Sequence, residues 1–273
     1  KAVGLGVRVG SETPNVLEGH RGPVLALAWG GSVLASGGAD GKVLLWALPD
    51  SKLLHTLSVG TPVRSLAVSP DGKTLAVGGD AAEVQLFDVA SGKPGAKLAG
   101  HKDWVLCLAF SPDGKQLVSG GYDDPLILWD VAGGKKLLDL PNQPPPDPKA
   151  PPPPKVVWWS AAFSADGKTL AVGGSDGIIR LVNPADGKVI RPVPGHTSAV
   201  TGLAWHPSGT LLVSASKDRT VRLWNPANAQ AVKVLEGHTA WVQGVVFLAQ
   251  GTRLATAGAD QTVRLWDLAQ PAK

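Results

Sequence analysis

The chain has 273 residues, 44% hydrophobic and 18% charged, which is enough apolar material for a sizeable core and too little charge for wholesale disorder. Net charge is +4, but the cations are scattered from Lys1 to Lys273 and only Lys135 and Lys136 are adjacent, so binding of nucleic acid by counterion release is not expected. One cysteine, Cys107, excludes an intrachain disulfide and a multi-cysteine metal site, and no apolar run reaches the ~18 residues of a membrane span.

Taken from the N-terminus, "AVGLGVRVG" (Ala2 to Gly10) is a strand-like run without a partner in the pattern, and "PNVLEGH" (Pro14 to His20) follows it. Then come "LEGHRGPVLALAWGGSVLASGGADGKVLLWALP", the weaker "SVGTPVRSLAVSPDGKTLAVGGDAAEVQLFDVA", and "LAGHKDWVLCLAFSPDGKQLVSGGYDDPLILWDVA". A proline tract, about Pro141 to Pro154, separates these from "VVWWSAAFSADGKTLAVGGSDGIIRLVNPA". Two further copies end the chain, "VPGHTSAVTGLAWHPSGTLLVSASKDRTVRLWNPA" and "LEGHTAWVQGVVFLAQGTRLATAGADQTVRLWDLA". Trp46, Phe87, Trp129, Val182, Trp224 and Trp266 close the six copies at gaps of 41, 42, 53, 42 and 42 residues. One 11-residue insertion (53 − 42) therefore interrupts a regular period, and it falls in the proline tract.

Each copy predicts three short strands and a fourth. In the fifth unit, "VTGLAW" precedes a turn, then come "LVSAS", a polar turn and "TVRLW", rich in β-branched residues; "AVKVLEGH" supplies the fourth strand. The Asp-Gly of "SPDGK" supplies a positive φ cheaply. A four-strand unit of this length selects a propeller among all-β folds.

On these residues the chain resembles the WD-repeat β-propeller family. Gly19-His20, Gly100-His101, Gly195-His196 and Gly237-His238 open units, Trp129-Asp130 and Trp266-Asp267 close two, and Trp46-Ala47 and Trp224-Asn225 are variants. The resemblance covers about residues 14–269 and implies a single all-β domain over residues 1–273, a propeller of six four-stranded antiparallel blades. "PNVLEGH" resembles the segment before His238, so the N-terminal strand is expected to complete the last blade and close the ring. A fragment of a larger ring is the alternative. With no Met in the chain, a piece of a longer multidomain product is expected.

The resemblance also implies a buried network of His, Ser or Thr, Asp and Trp in each full unit. The matching sets are His20, Ser36, Asp40, Trp46; His101, Ser119, Asp123, Trp129; His196, Ser214, Asp218, Trp224; and His238, Thr256, Asp260, Trp266. Physical chemistry points the same way, since a buried carboxylate and a buried indole N–H both need partners. The second unit has Val59, Val77, Ala81 and Phe87 at these positions, and the fourth has Pro154, Val172, Asp176 and Val182. His, Ser and Trp vanish together, as members of a structural network would and independent catalytic groups would not.

No catalytic, metal or cofactor site is expected. "SASK" (Ser214 to Lys217) matches a Ser-x-x-Lys signature, but it sits on a predicted strand where a helix is required. "GLGVRVG" lacks the spacing and the helix of a dinucleotide fingerprint. His55 and His206 are read as surface histidines. Trp158 and Trp159 should point in opposite directions along a strand, the first filling space between blades and the second facing a partner.

In the resembled family, contacts come from residues three and five after the unit's His and from the residue before the turn Asp. Mapped here, these positions include Arg64, Asp80, Trp104, Tyr122, Trp159, Lys217, Trp241 and Gln243. The expected activity is a non-catalytic scaffold, monomeric as a domain, that presents aromatic residues to a protein or peptide. The alternative is a small-ligand-binding or enzymatic propeller using a central channel, which the small apolar residues of "VLALAW", "VLCLAF" and "VTGLAW" do not favour.

Overall fold

The structure, a computed structural model, describes residues 16–48, 50–122, 125–140 and 155–268. It is all-β: six antiparallel sheets, the blades of a β-propeller, each running in sequence order from its first strand to its last. Sheet 1 comprises β1 (Val24–Gly30), β2 (Val33–Gly38), β3 (Lys42–Ala47) and β4 (Lys52–Ser58), and sheet 2 comprises β5 (Val63–Val68), β6 (Thr74–Gly79), β7 (Glu83–Asp88) and β8 (Pro94–Ala99). Sheet 3 holds β9 (Val105–Phe110), β10 (Gln116–Gly121), β11 (Leu126–Asp130) and β12 (Lys135–Leu140). Sheet 4 holds β13 (Trp158–Phe163), β14 (Leu170–Gly174), β15 (Ile179–Val182) and β16 (Val189–Val193). Sheet 5 is built from β17 (Val200–Trp205), β18 (Leu212–Ser216), β19 (Val221–Asn225) and β20 (Gln230–Leu235). Sheet 6 has three strands among the described residues, β21 (Val242–Leu248), β22 (Arg253–Gly258) and β23 (Val263–Asp267).

The turns between first and second strands follow from their sequence. In "SPDGK" Ser69 Oγ donates to Asp71 at 2.6 Å, the Lys73 amide donates to the same carboxylate at 3.0 Å, and Gly72 takes φ +73°. Ser111 with Asp113 and Ser164 with Asp166 repeat the arrangement, each at 2.6 Å. The hydroxyl and amide hydrogen bonds hold all three carboxyls below their ordinary pKa.

The chain groups into two compact units, Lys1–Ser119 with Trp129–Lys136, and Gly120–Leu128 with Leu137–Lys273. Within the first, β1 packs on β5 and β5 on β9; within the second, β13 packs on β17 and β17 on β21. A small residue on the second strand of one sheet receives a Val from the first strand of the next. A Cβ at Gly78 would lie 2.8 Å from the Val105 side chain, and one at Gly173 would lie 2.7 Å from Val200. Beside these contacts Ser65 Oγ donates to Val105 O at 3.0 Å, and Ser160 Oγ donates to Val200 O at 2.9 Å. The apolar filling between these first two sheets is aliphatic apart from Phe87, with Val33, Val43, Leu45 and Leu57 of sheet 1 meeting Val63, Leu66, Leu75 and Phe87 of sheet 2. Each such side chain contributes roughly 1.5–3 kcal/mol by leaving water.

The last sheet of the second unit differs. Val263 on β23 is 65% exposed, whereas Val221, its equivalent on β19, is fully buried under the following sheet. The expected closing strand begins before residue 16, outside the described residues, and residues 16–20 carry no strand. The proline tract and the run Ala2 to Gly10 also lie outside them.

Candidate functional site

Three of the four full units bring all their network groups within hydrogen-bond distance. In the fifth unit, Trp224 Nε1 donates to Ser214 Oγ at 2.8 Å, and Ser214 Oγ lies 2.7 Å from His196 Nε2. His196 Nδ1 then lies 2.7 Å from Asp218. The proton inventory assigns one direction throughout: indole N–H to hydroxyl, hydroxyl O–H to Nε2, Nδ1–H to carboxylate. This chain needs a neutral imidazole, and burial lowers the His196 pKa although Asp218 works to raise it. Burial works to raise the Asp218 pKa, but hydrogen bonds from His196 and from the Thr220 amide and hydroxyl outweigh it and hold the carboxyl at about 2.

The sixth unit repeats the chain with Thr256 in place of serine, at 2.9 Å from Trp266 Nε1 and 2.8 Å from His238, which lies 2.9 Å from Asp260. The first unit joins Trp46 to Ser36 at 3.2 Å, Ser36 to His20 at 3.0 Å and His20 to Asp40 at 3.1 Å. In the third unit Trp129 Nε1 donates to Ser119 Oγ at 2.7 Å and His101 Nε2 lies 2.6 Å from it; Asp123 lies outside the described residues.

The two weak units depart in different ways. In the second, Val59, Val77, Ala81 and Phe87 all line a half-open cavity of about 440 Å³, so the missing polar groups leave space. In the fourth, Asp176 pairs with buried Arg180 at 2.7 Å, and the guanidinium sits 5.4 Å from the ring of fully buried Trp158. The Asp retained there has exchanged an imidazole partner for a guanidinium. Pro154 lies outside the described residues.

The family-derived contact positions are grouped by the backbone itself. In five units the residue preceding the turn donates its amide to the carbonyl of the residue three past the His position. These bonds are Ala39 to Pro23 at 2.9 Å, Asp80 to Pro62 at 3.1 Å, Ser175 to Val157 at 2.9 Å, Lys217 to Ala199 at 2.9 Å and Ala259 to Trp241 at 2.7 Å. The third position of each set, five past the His, is skipped in the strand register. A register shift brackets Leu25, Arg64, Trp159, Thr201 and Gln243 in turn. A bulge inserts one unpaired residue and re-aims its side chain, so these positions escape simple alternation. Trp159 is such a residue, between buried Trp158 and buried Ser160.

Two aromatic–cation clusters result, one in each compact unit. In the first unit the Arg64 guanidinium lies 4.1 Å from the Trp104 ring centroid and forks onto Asp80, with Nη2 to Oδ2 at 3.2 Å. In the second, the Lys217 ammonium lies 3.7 Å from the Trp159 ring and 4.7 Å from the Trp241 ring, and Tyr122 meets Trp159 edge-on at 6.2 Å. Trp241 is 53% exposed and Trp104 37%, while burial lowers the Lys217 pKa. Gln243 is exposed on β21.

Six segments, residues 11–47, 51–88, 92–130, 154–183, 187–225 and 229–267, match the repeat described as "WD domain, G-beta repeat". The chain belongs to the WD40 repeat family. It is 29% identical over 183 residues to nuclear distribution protein nudF of Aspergillus niger, a match covering 67% of this chain and 34% of that protein. Autophagy-related protein 16 of Arabidopsis thaliana is 24% identical over 207 residues, covering 74% of this chain and 38% of that one. Small ribosomal subunit protein RACK1y of Oryza sativa subsp. japonica is 49% identical over 57 residues, covering 20% and 17%. This WD40 chain thus spans well under two thirds of the length of each of these relatives.

The remaining histidines of the WD40 chain hold turns. His55 Nε2 donates to Ala90 O at 2.9 Å; His206 Nδ1 lies 2.6 Å from Ser208 Oγ, its ring edge-on to Phe247 at 5.1 Å. Both are partly exposed, as expected of surface histidines, with a neighbouring turn against each ring. Among the described residues no three His, Cys, Asp or Glu side chains gather as a metal site would require.

Proposed function

We propose that this WD40 chain is a non-catalytic scaffold that binds a protein or peptide through Trp104 with Arg64 and Asp80, and through Trp159 and Trp241 with Lys217, Tyr122 lending edge contact. The observation that carries this reading is the bulge at Arg64 and at Trp159, which sets each beside a second cluster member held by repeat-equivalent backbone geometry. Partly exposed aromatics with interspersed charge have the composition of an interface hot spot. Gln243 shares the bulged position and stands as a peripheral contact. The networks hold the strands that present these groups, and in the first, fifth and sixth units the His and Asp are committed to partners within the network and its turn.

Trp104→Ala, Trp159→Ala and Trp241→Ala should each fold, as judged by far-UV circular dichroism, and weaken a captured partner by about 1–3 kcal/mol in calorimetry. Substitution of Lys233, half-buried on β20, should leave affinity unchanged. A partner bound normally by all three Trp variants would sink the assignment.

A further inference from the structure

The two clusters share a design but differ in charge balance. Arg64 on Trp104 has its carboxylate supplied from within, by Asp80 at the position preceding the turn. In the second unit that same position holds Lys217, so the cation occupies the place of the acid. Two indole faces attract its ammonium but do not neutralise it. Asp218, the next residue, is already held by His196 and by the Thr197 and Thr220 amides. Among the described residues Lys217 makes no ion pair, and neither does exposed Arg219 on the same turn. The indole Nε1 of Trp159 is buried without an acceptor, a further sign that this cluster is short of acceptors.

We propose that the Lys217 ammonium, framed by Trp159 and Trp241, is the docking point for one carboxylate of a partner peptide, an Asp or Glu side chain. The proposal rests on the peptide-binding reading above. A monoanion matches the single cation, whereas a dianionic phosphate set between two apolar rings would retain uncompensated charge. The half-exposed Trp241 face offers apolar contact to the residue beside the acid. Arg219 adds longer-range attraction that salt should screen.

The test is a random twelve-residue phage-displayed peptide library panned against the full chain, with selected peptides resynthesised and measured by fluorescence anisotropy. Expected are peptides with Asp or Glu at one fixed position. Replacing that residue by its amide, or Lys217→Met in the protein, should each cost roughly tenfold or more in Kd, and the two losses should not add. Lys217→Glu should bind peptides in which the acid has become Lys, with thermal melts confirming that both variants fold. Binders that require Trp241 but lack an acid, or that tighten when the acid becomes phosphoserine, overturn the carboxylate assignment and leave the peptide-binding reading standing. Acidic binders unaffected by Lys217→Met overturn it too. Binders indifferent to all three tryptophans, or no binders at all, overturn both.

Discussion

Ser214→Ala tests the network where its geometry is most complete. The side chain is fully buried, and its one oxygen accepts from Trp224 Nε1 at 2.8 Å and donates to His196 Nε2 at 2.7 Å. Two neutral hydrogen bonds at about 1 kcal/mol each set a loss near 2, and the desolvated indole N–H left behind raises it toward 3. Little comes from the cavity, because one oxygen is removed and the backbone pairing of β18 with β17 and β19 is unaffected. Urea denaturation followed by circular dichroism gives the loss, with an unchanged m-value expected. Two controls separate network from bulk burial. Val172→Ser puts a hydroxyl at the equivalent buried site of the fourth unit, where no His or Trp awaits it, and should give no gain in stability. Trp224→Phe combined with Ser214→Ala should show a coupling of about 1 kcal/mol, because the two single changes remove the same bond. A Ser214→Ala loss under about 0.5 kcal/mol, with an additive cycle, would refute the reasoning.

Acid should unfold the chain in two stages. His196 stays neutral when folded but takes a proton at 6.5 when unfolded, so its contribution is present above 6.5 and declines below it; that of Asp218 is present above 3.8 and is lost toward 2. Melting temperature against pH should therefore bend downward first near 6.5, and a profile flat down to 4 would contradict the neutral imidazole. Gly78→Ala should cost about 1–3 kcal/mol by pressing on Val105, and Val105→Ala in the same chain should recover part of it. Asp176→Ala should destabilise more than Arg180→Met, by about 1–3 kcal/mol, since the first strands a buried guanidinium and the second removes it; equal losses in thermal denaturation would deny the pair.

Local chemistry was legible directly. The spacing of Trp46, Phe87, Trp129, Val182, Trp224 and Trp266 marks the period of the sheets, and the Asp-Gly of "SPDGK" marks their turns, because both depend only on neighbouring residues. The candidate networks were legible too, since a repeat copies long-range partners at constant separation, as with Trp224 and Ser214 ten residues apart. What replaced them in the weak units was not. That the second unit keeps a cavity while the fourth turns Arg180 inward depends on how particular side chains fill a volume.

The same limit governs the candidate binding residues. Alternation along a strand already sent Trp159 away from Trp158, but the register shift that frees Trp159 is decided by the pairing of β13 with β14. The meeting of Lys217 with Trp159 and Trp241 joins three sheets of the second unit. One-dimensional spacing specifies which residues occupy equivalent places in each repeat. Only the tertiary structure decides which neighbours meet there, because the distance between a cation and a ring depends on packing between sheets, and no local propensity encodes that distance.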